Sequence, residues 1–161
     1  VKMLREYGWS ENRVSNIPGV NSRLDEIQAA ILNVRLETIV SENERRRKIA
    51  YQYNSILKNV NNITIPVERD GNYHVYHQYV IQCPERDKLQ AYLMDHNIGT
   101  AVHYPHPVHL QPAYRNRLPI VPSGLAETEK ICSLILSLPI YPQLTNEEVE
   151  YIGEVLSSWK F

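Results

Sequence analysis

The sequence predicts an α+β fold: a small, mostly antiparallel sheet packed with helices, plus a long N-terminal connecting helix. Two observations carry that prediction. An apolar helical period runs from Leu24 to about Leu57. Beyond it, β-rich stretches and amphipathic helical ones follow in the order strand, strand, helix, strand, helix, short strand, helix. That order suits a sheet covered by helices on one face. The chain of 161 residues is long enough for one core, since domains commonly run to about 100–150 residues. It reads as a single domain, 1–161, with a connecting helix region, 1–60, and an α+β small domain, 61–161.

The chain opens inside what reads as a helix, "VKMLREYG", which raises the expectation either of a further portion upstream or of an unusual start to the reading frame. Ser22 and Asp25 fit a capping box for the long helix. Leu24, Ile27, Ile31 and Val34 then recur at helical spacing, and Ile49, Tyr53, Ile56 and Leu57 extend the pattern. A helix of that length calls for a kink, expected around Leu36–Ser41. "ITIP" and Tyr76–Cys83 read as strands. "ERDKLQAYLMDHNIG" reads as a helix stopped by Gly99. "TAVHY" is a further strand, after which four prolines between Pro105 and Pro119 exclude regular structure. A helix from Ser123 to Leu134, a short strand in "LSLPI" and a final helix capped by Thr145 and Glu148 complete the order. The long first helix has too few partners within these residues to bury both its sides, so a neighbour is expected.

Composition narrows the function. Hydrophobic residues are 43%, charged residues 22%, and the net charge is −1. No global field draws such a chain to nucleic acid or anionic lipid. The longest apolar runs, such as "ICSLILSLPI", fall short of the ~20 residues of a membrane helix, and no signal-peptide pattern opens the chain. Cys83 and Cys132 lack metal-type spacing and read as reduced core residues. The expectation is a soluble, cytoplasmic protein without nucleic-acid or membrane partners.

Local motifs are few. In "HYPHPVHL", His103, His106 and His109 stand three apart. The prolines favour an extended path that aligns the three on one edge but spaces them about 9 Å apart along the axis, too far to converge on one zinc. No metal site is assigned; the motif reads as a loop that sets one histidine at a pocket. His74 and His77 bracket Tyr76 at the start of a strand and read as hydrogen-bonded structural histidines, with Tyr76 and His77 on opposite faces. Arg45, Arg46, Arg47 and Lys48 are offset by Glu37, Glu42 and Glu44 and read as a solvated helix face. There is no glycine-rich phosphate loop, no G-x-S-x-G elbow and no Cys–His nucleophile context. No catalytic residue is assigned.

Three longer stretches carry more. "GVNSRLDEIQAAIL" closely resembles the G-x-N-x-R-L-D-E-x-Q-A-A segment of the sugar aminotransferases of the DegT–StrS type. "RDKLQAYLMDHNIGTAVHYPHPVHLQPAY" resembles their R-D-x-L to H-Y-P-x-P-x-H-x-Q-x-x-Y segment, and "LSLPIYPQLTNEEVEYI" their L-x-L-P-x-Y-P-x-L-T stretch. The matches run colinearly from about Leu4 to Trp159.

The resemblance implies a pyridoxal phosphate (PLP) enzyme on the fold-type I scaffold, moving an amino group onto a nucleotide-linked keto sugar. It places this chain at the C-terminal part, the connecting helix and small domain. It implies that Asn21 bonds the PLP phosphate of a partner subunit, which suits a turn at a helix N-terminus. Arg23 is expected to orient that turn through carboxylates and to reach substrate. His103 and Tyr104 are expected near the sugar. The family's Schiff-base lysine and pyridinium acid lie upstream of the G-x-N-x-R segment. Here Lys2, Lys48, Lys58, Lys88, Lys130 and Lys160 all lack that lysine's sequence context. The chain is therefore expected to be inactive alone and to bind no PLP by itself. Expected partners are a second copy of the chain, or a large domain or full-length aminotransferase. The alternative is a stand-alone interaction or sugar-nucleotide-binding module derived from that domain.

Overall fold

A computed structural model describes residues 1–117 and 119–160. It divides into two compact units, Val1–Val40 and Ser41–Phe161. Ile49, Ala50, Tyr53 and Leu57 belong to the core of the second unit.

In the first unit, a single helical turn α1 (Lys2–Arg5) leads into a segment that pairs with residues 20–22. The Tyr7 N–H donates to the Val20 carbonyl, that of Val20 to Leu4, and that of Ser22 to Arg5, at 3.1, 2.8 and 2.9 Å. Glu6 and Asn21 form the antiparallel bridge between them. Two glycines make the approach feasible. A Cβ on Gly19 would stand 2.1 Å from the Gly8 nitrogen, and one on Gly8, whose φ is +75°, 1.7 Å from the Ile17 carbonyl oxygen.

This ladder corrects the predicted capping box. Ser22 is committed to it by its backbone, and helix α2 (Glu26–Leu36) begins only after Asp25, whose side chain caps nothing. The helix buries no residue. Ile27, Ile31 and Val34, which share one stripe, are 77, 59 and 67% exposed. Leu32 and Leu36, on another side, are exposed too. The expected break appears at Glu37–Thr38, before helix α3 (Ile39–Leu57).

The second unit holds the core. From α3, Ile49, Tyr53 and Leu57 point into it at i, i+4, i+8 spacing. Helix α6 (Asn146–Ser158) supplies Val149, Ile152, Val155 and Leu156, and starts from a complete capping box between Thr145 and Glu148. Helix α4 (Arg86–Asp95) adds Leu89 and Leu93. Strands β1 (Tyr79–Gln82) and β2 (Ile135–Leu138) pair antiparallel, Tyr79 opposite Leu138 and Gln82 opposite Ile135. Tyr79, Ile81, Leu136 and Leu138 face the core, which leaves Val80, Gln82, Ile135 and Ser137 on the other face. The buried tyrosines keep partners: Tyr53 donates to the Pro139 carbonyl and Tyr79 to Asn54 Oδ1. Burial raises both phenols above their ordinary range.

The predicted fold class stands as a mixed helix–sheet architecture with a small antiparallel sheet, but its strands are shorter than expected. "ITIP" and "TAVHY" contribute one bridge each, Thr64 to Gln82 and Ala101 to Ser137. Tyr76 has φ +48°, outside the extended region, so β1 starts only at Tyr79. Gly124 has φ +73°, so helix α5 (Ala126–Leu134) starts after it and not at Ser123. Among the prolines, Val108–Leu110 forms one 3₁₀ turn; Leu118 lies outside the described residues.

Candidate functional site

The face of the sheet turned from the core borders a cavity of about 400 Å³, with His77, Gln78, Thr100, His103, Ser137 and Pro139 among its walls. Strand alternation explains His103: Val102 packs toward the core, so Ala101 and His103 fall on the opposite face. The half-buried His103 ring is tied at Nδ1 to Ser137 Oγ, 2.9 Å away, leaving Nε2 as the nitrogen available to a ligand. Tyr104 is 70% exposed and sets its ring edge-on to His103, centroids 5.7 Å apart, without lining the cavity. The cavity therefore offers two imidazoles, an amide and two hydroxyls, that of Ser137 engaged with His103, a set suited to oxygen-rich ligands.

The three histidines of "HYPHPVHL" do not share an edge. His103 turns to Ser137, His106 is exposed, and His109 is buried with Nε2 3.0 Å from Glu129 Oε1. The turn at Val108–Leu110 breaks the extended path and separates them. Among the described residues no group of three or more His, Cys, Asp or Glu gathers in a metal-binding arrangement. His74 is a structural histidine as expected, accepting the Tyr76 N–H at Nδ1 over 2.9 Å. His77, read the same way, is instead exposed on the cavity wall.

The segment leading to His77 is clasped from α3. Arg47 Nη1 reaches Glu68 Oε1 and the His74 carbonyl, both at 2.6 Å, and Glu68 Oε1 accepts the His74 N–H at 2.8 Å. Arg47 also bonds Tyr51 Oη and lies 4.1 Å from the Tyr73 ring centroid. The Arg47 guanidinium, helped by the His74 N–H, holds the Glu68 carboxyl below its ordinary value, and Glu68 raises Arg47 in turn. Arg45 is likewise engaged, with Asn146 Oδ1 and the Leu144 carbonyl. The basic run is thus no solvated face: two of its arginines fasten loops of the second unit to α3.

Asn21 and Arg23 lie in the first unit, both exposed. The ladder with residues 4–7 fixes the Asn21 backbone. Since α2 begins at Glu26, Asn21 does not sit in the first turn of a helix, and the dipole argument for anion binding there fails, because that effect fades beyond the terminal turn. His103 and Tyr104 lie together in the second unit.

Sequence reasoning missed Gln78, Thr100 and Ser137. Ser137 had a signal: it is the one hydroxyl in "ILSL", and a buried hydroxyl demands a partner.

The DegT/DnrJ/EryC1/StrS aminotransferase family model matches residues 1–157. The chain is 40% identical over 160 residues to a pleiotropic regulatory protein of Geobacillus stearothermophilus, covering 98% of this chain and 43% of that protein. It is 39% identical over 165 residues to dTDP-3-amino-3,6-dideoxy-alpha-D-galactopyranose transaminase of Aneurinibacillus thermoaerophilus, covering 100% of this chain and 43% of that enzyme. Among solved structures, DesV of S. venezuelae superposes with a TM-score of 0.88 at 36% identity, covering 98% of this chain and 42% of that one. An aminotransferase from Brucella abortus gives 0.88 at 37%, covering 96% and 41%. The chain spans less than half the length of these relatives. With a family model matched almost end to end and the fold of solved aminotransferases reproduced, the chain belongs to the DegT/DnrJ/EryC1/StrS aminotransferase family.

Proposed function

We propose that this chain is the C-terminal portion of a PLP-dependent sugar aminotransferase, and that the cavity around His103 receives the sugar of a nucleotide-linked substrate. The observation that carries the reading is His103 itself. The family resemblance leads us to expect it near the sugar, and in the fold it lines a cavity with Gln78, Thr100 and His77. Tyr104, exposed beside it, closes on the ligand from outside. The loop holding Asn21 and Arg23 serves the cofactor phosphate and substrate in a partner subunit's site. The exposed stripe of α2 meets a second copy of the chain or a large domain. The setting expected for this work is the cytoplasm.

PLP, which the family implies, fits these residues only in part. Asn21 and Arg23 offer contacts for an anion. All six lysines, Lys2, Lys48, Lys58, Lys88, Lys130 and Lys160, are exposed, and the cavity at His103 is lined by none of them. No amino transfer is derived for this chain alone.

The reading is tested by replacing the matching segment of the Aneurinibacillus transaminase with this chain. The expected result is a chimera that transfers amino groups, loses activity on Asn21→Ala, and shows a raised KM for the sugar nucleotide on His103→Ala. A folded chimera whose activity is indifferent to both changes overturns it.

A further inference from the structure

We infer that Ser137 is a positioning residue for His103: its hydroxyl donates to Nδ1, fixing the imidazole as the Nε2–H tautomer and presenting that N–H to the cavity. The inference rests on the reading of this cavity as the sugar-nucleotide pocket, and it specifies what His103 recognises there, an oxygen acceptor such as a phosphate or ring-hydroxyl oxygen.

Ser137 stands in the middle of the sheet, opposite Val80 of β1 on one side. On the other side its N–H and C=O are both committed to Ala101, at 2.8 and 3.2 Å. Its Cα is therefore held from both edges. Its neighbours Leu136 and Leu138 turn into the core, so its side chain emerges on the cavity face, where the residue is only 6% exposed. His103 lies two residues past Ala101. Extended backbone returns its side chain to the face shared by Ala101 and Ser137, and a diagonal of that kind is within reach of an imidazole. The 2.9 Å contact between Nδ1 and Oγ is the outcome.

A neutral imidazole carries one N–H, and the bond made by one nitrogen decides the state of the other. If Nδ1 carried the proton, Nε2 would face the cavity as an acceptor, with nothing to offer a phosphate oxygen or a hydroxyl lone pair. With the serine hydroxyl donating, Nε2–H is a directed donor, already oriented before ligand arrives. Orientation in advance of binding is what a buried second partner contributes to a polar contact.

The test uses the 161-residue chain with ¹⁵N-labelled histidine and long-range proton–nitrogen spectra, which read the tautomer of each ring. Wild-type His103 is expected as Nε2–H with a hydrogen-bonded Nδ1. Ser137→Ala should move both ring nitrogens toward the averaged values of a free imidazole, and Ser137→Thr should restore them. Titration with dTDP-glucose should weaken about tenfold in Ser137→Ala, the low end of what losing a supporting partner costs, and recover in Ser137→Thr. A wild-type Nδ1–H tautomer, or ring signals unmoved by Ser137→Ala, overturns the inference. Failure of the underlying reading looks different: dTDP-glucose would then shift no His103 signal in the wild type, whatever the tautomer.

Discussion

The exposed stripe of α2 makes the first prediction quantitative. Ile27, Ile31 and Val34 leave 77, 59 and 67% of their surface in water. Full burial of such a side chain contributes about 1.5–3 kcal/mol, so covering what is exposed here should return about 1.5 kcal/mol for each. The chain on its own is expected to bury the stripe against a second copy. The double change Ile27→Glu, Ile31→Glu then removes about 3 kcal/mol per protomer, about 6 kcal/mol for the pair, which weakens association roughly ten-thousandfold. The monomer should not suffer. Both positions are exposed, glutamate is a good helix former, and position 27 lies in the first turn, where a negative charge is favoured. Sedimentation velocity across a concentration series is the assay, with circular dichroism and a thermal melt as controls. A wild-type chain that stays monomeric at high micromolar concentration refutes the reasoning. So does a double variant that associates as well as the wild type.

Two further outcomes follow from packing and charge. A Cβ on Gly153 would lie 2.6 and 2.8 Å from Cδ1 and Cγ2 of Ile56. Overpacking at about 1–3 kcal/mol therefore exceeds the ~1 kcal/mol of helix propensity that alanine brings. Gly153→Ala should lower stability to urea, whereas adding it to Ile56→Ala should cost nothing more; a stabilised single variant contradicts this. The Glu68 carboxyl is held low by Arg47 and the His74 N–H. A lowered folded pKa gives stability that is present above the unfolded value, about 4.3, and is lost as pH falls through the folded one. Thermal melts between about pH 5 and about pH 3 should thus fall more steeply for the wild type than for Glu68→Gln, and parallel falls would show that the clasp does not bear on stability.

Much of this architecture can be read along the chain, and where reading fails the reason is non-local. The break after Leu36, the box at Thr145 and Glu148 and the apolar face through Ile49, Tyr53 and Leu57 each depend on neighbours within a few residues. Ser22 misleads because its N–H is taken by Arg5, from a segment that pairs with it only in three dimensions. Tyr76 and Gly124 misplace element starts because a positive φ is set by the turn and not announced by residue type, least of all for a tyrosine. The site shows the same division. Asn21, Arg23, His103 and Tyr104 come from family motifs. Ser137 is legible only as an unpaired hydroxyl inside an apolar strand, and its bond to His103 needed the Ala101–Ser137 bridge. Arg47 looked like one member of a basic run, and its partner Glu68 lies in a loop beyond any helical period.

We propose that this chain supplies substrate and phosphate contacts of a sugar aminotransferase and offers no lysine that holds the cofactor. Titration of the purified chain with PLP, then borohydride reduction and peptide mass analysis, tests it directly. The account predicts no stoichiometric adduct at any one of the six lysines. A single lysine modified to stoichiometry would contradict it, and would mean that the chain builds a cofactor site of its own.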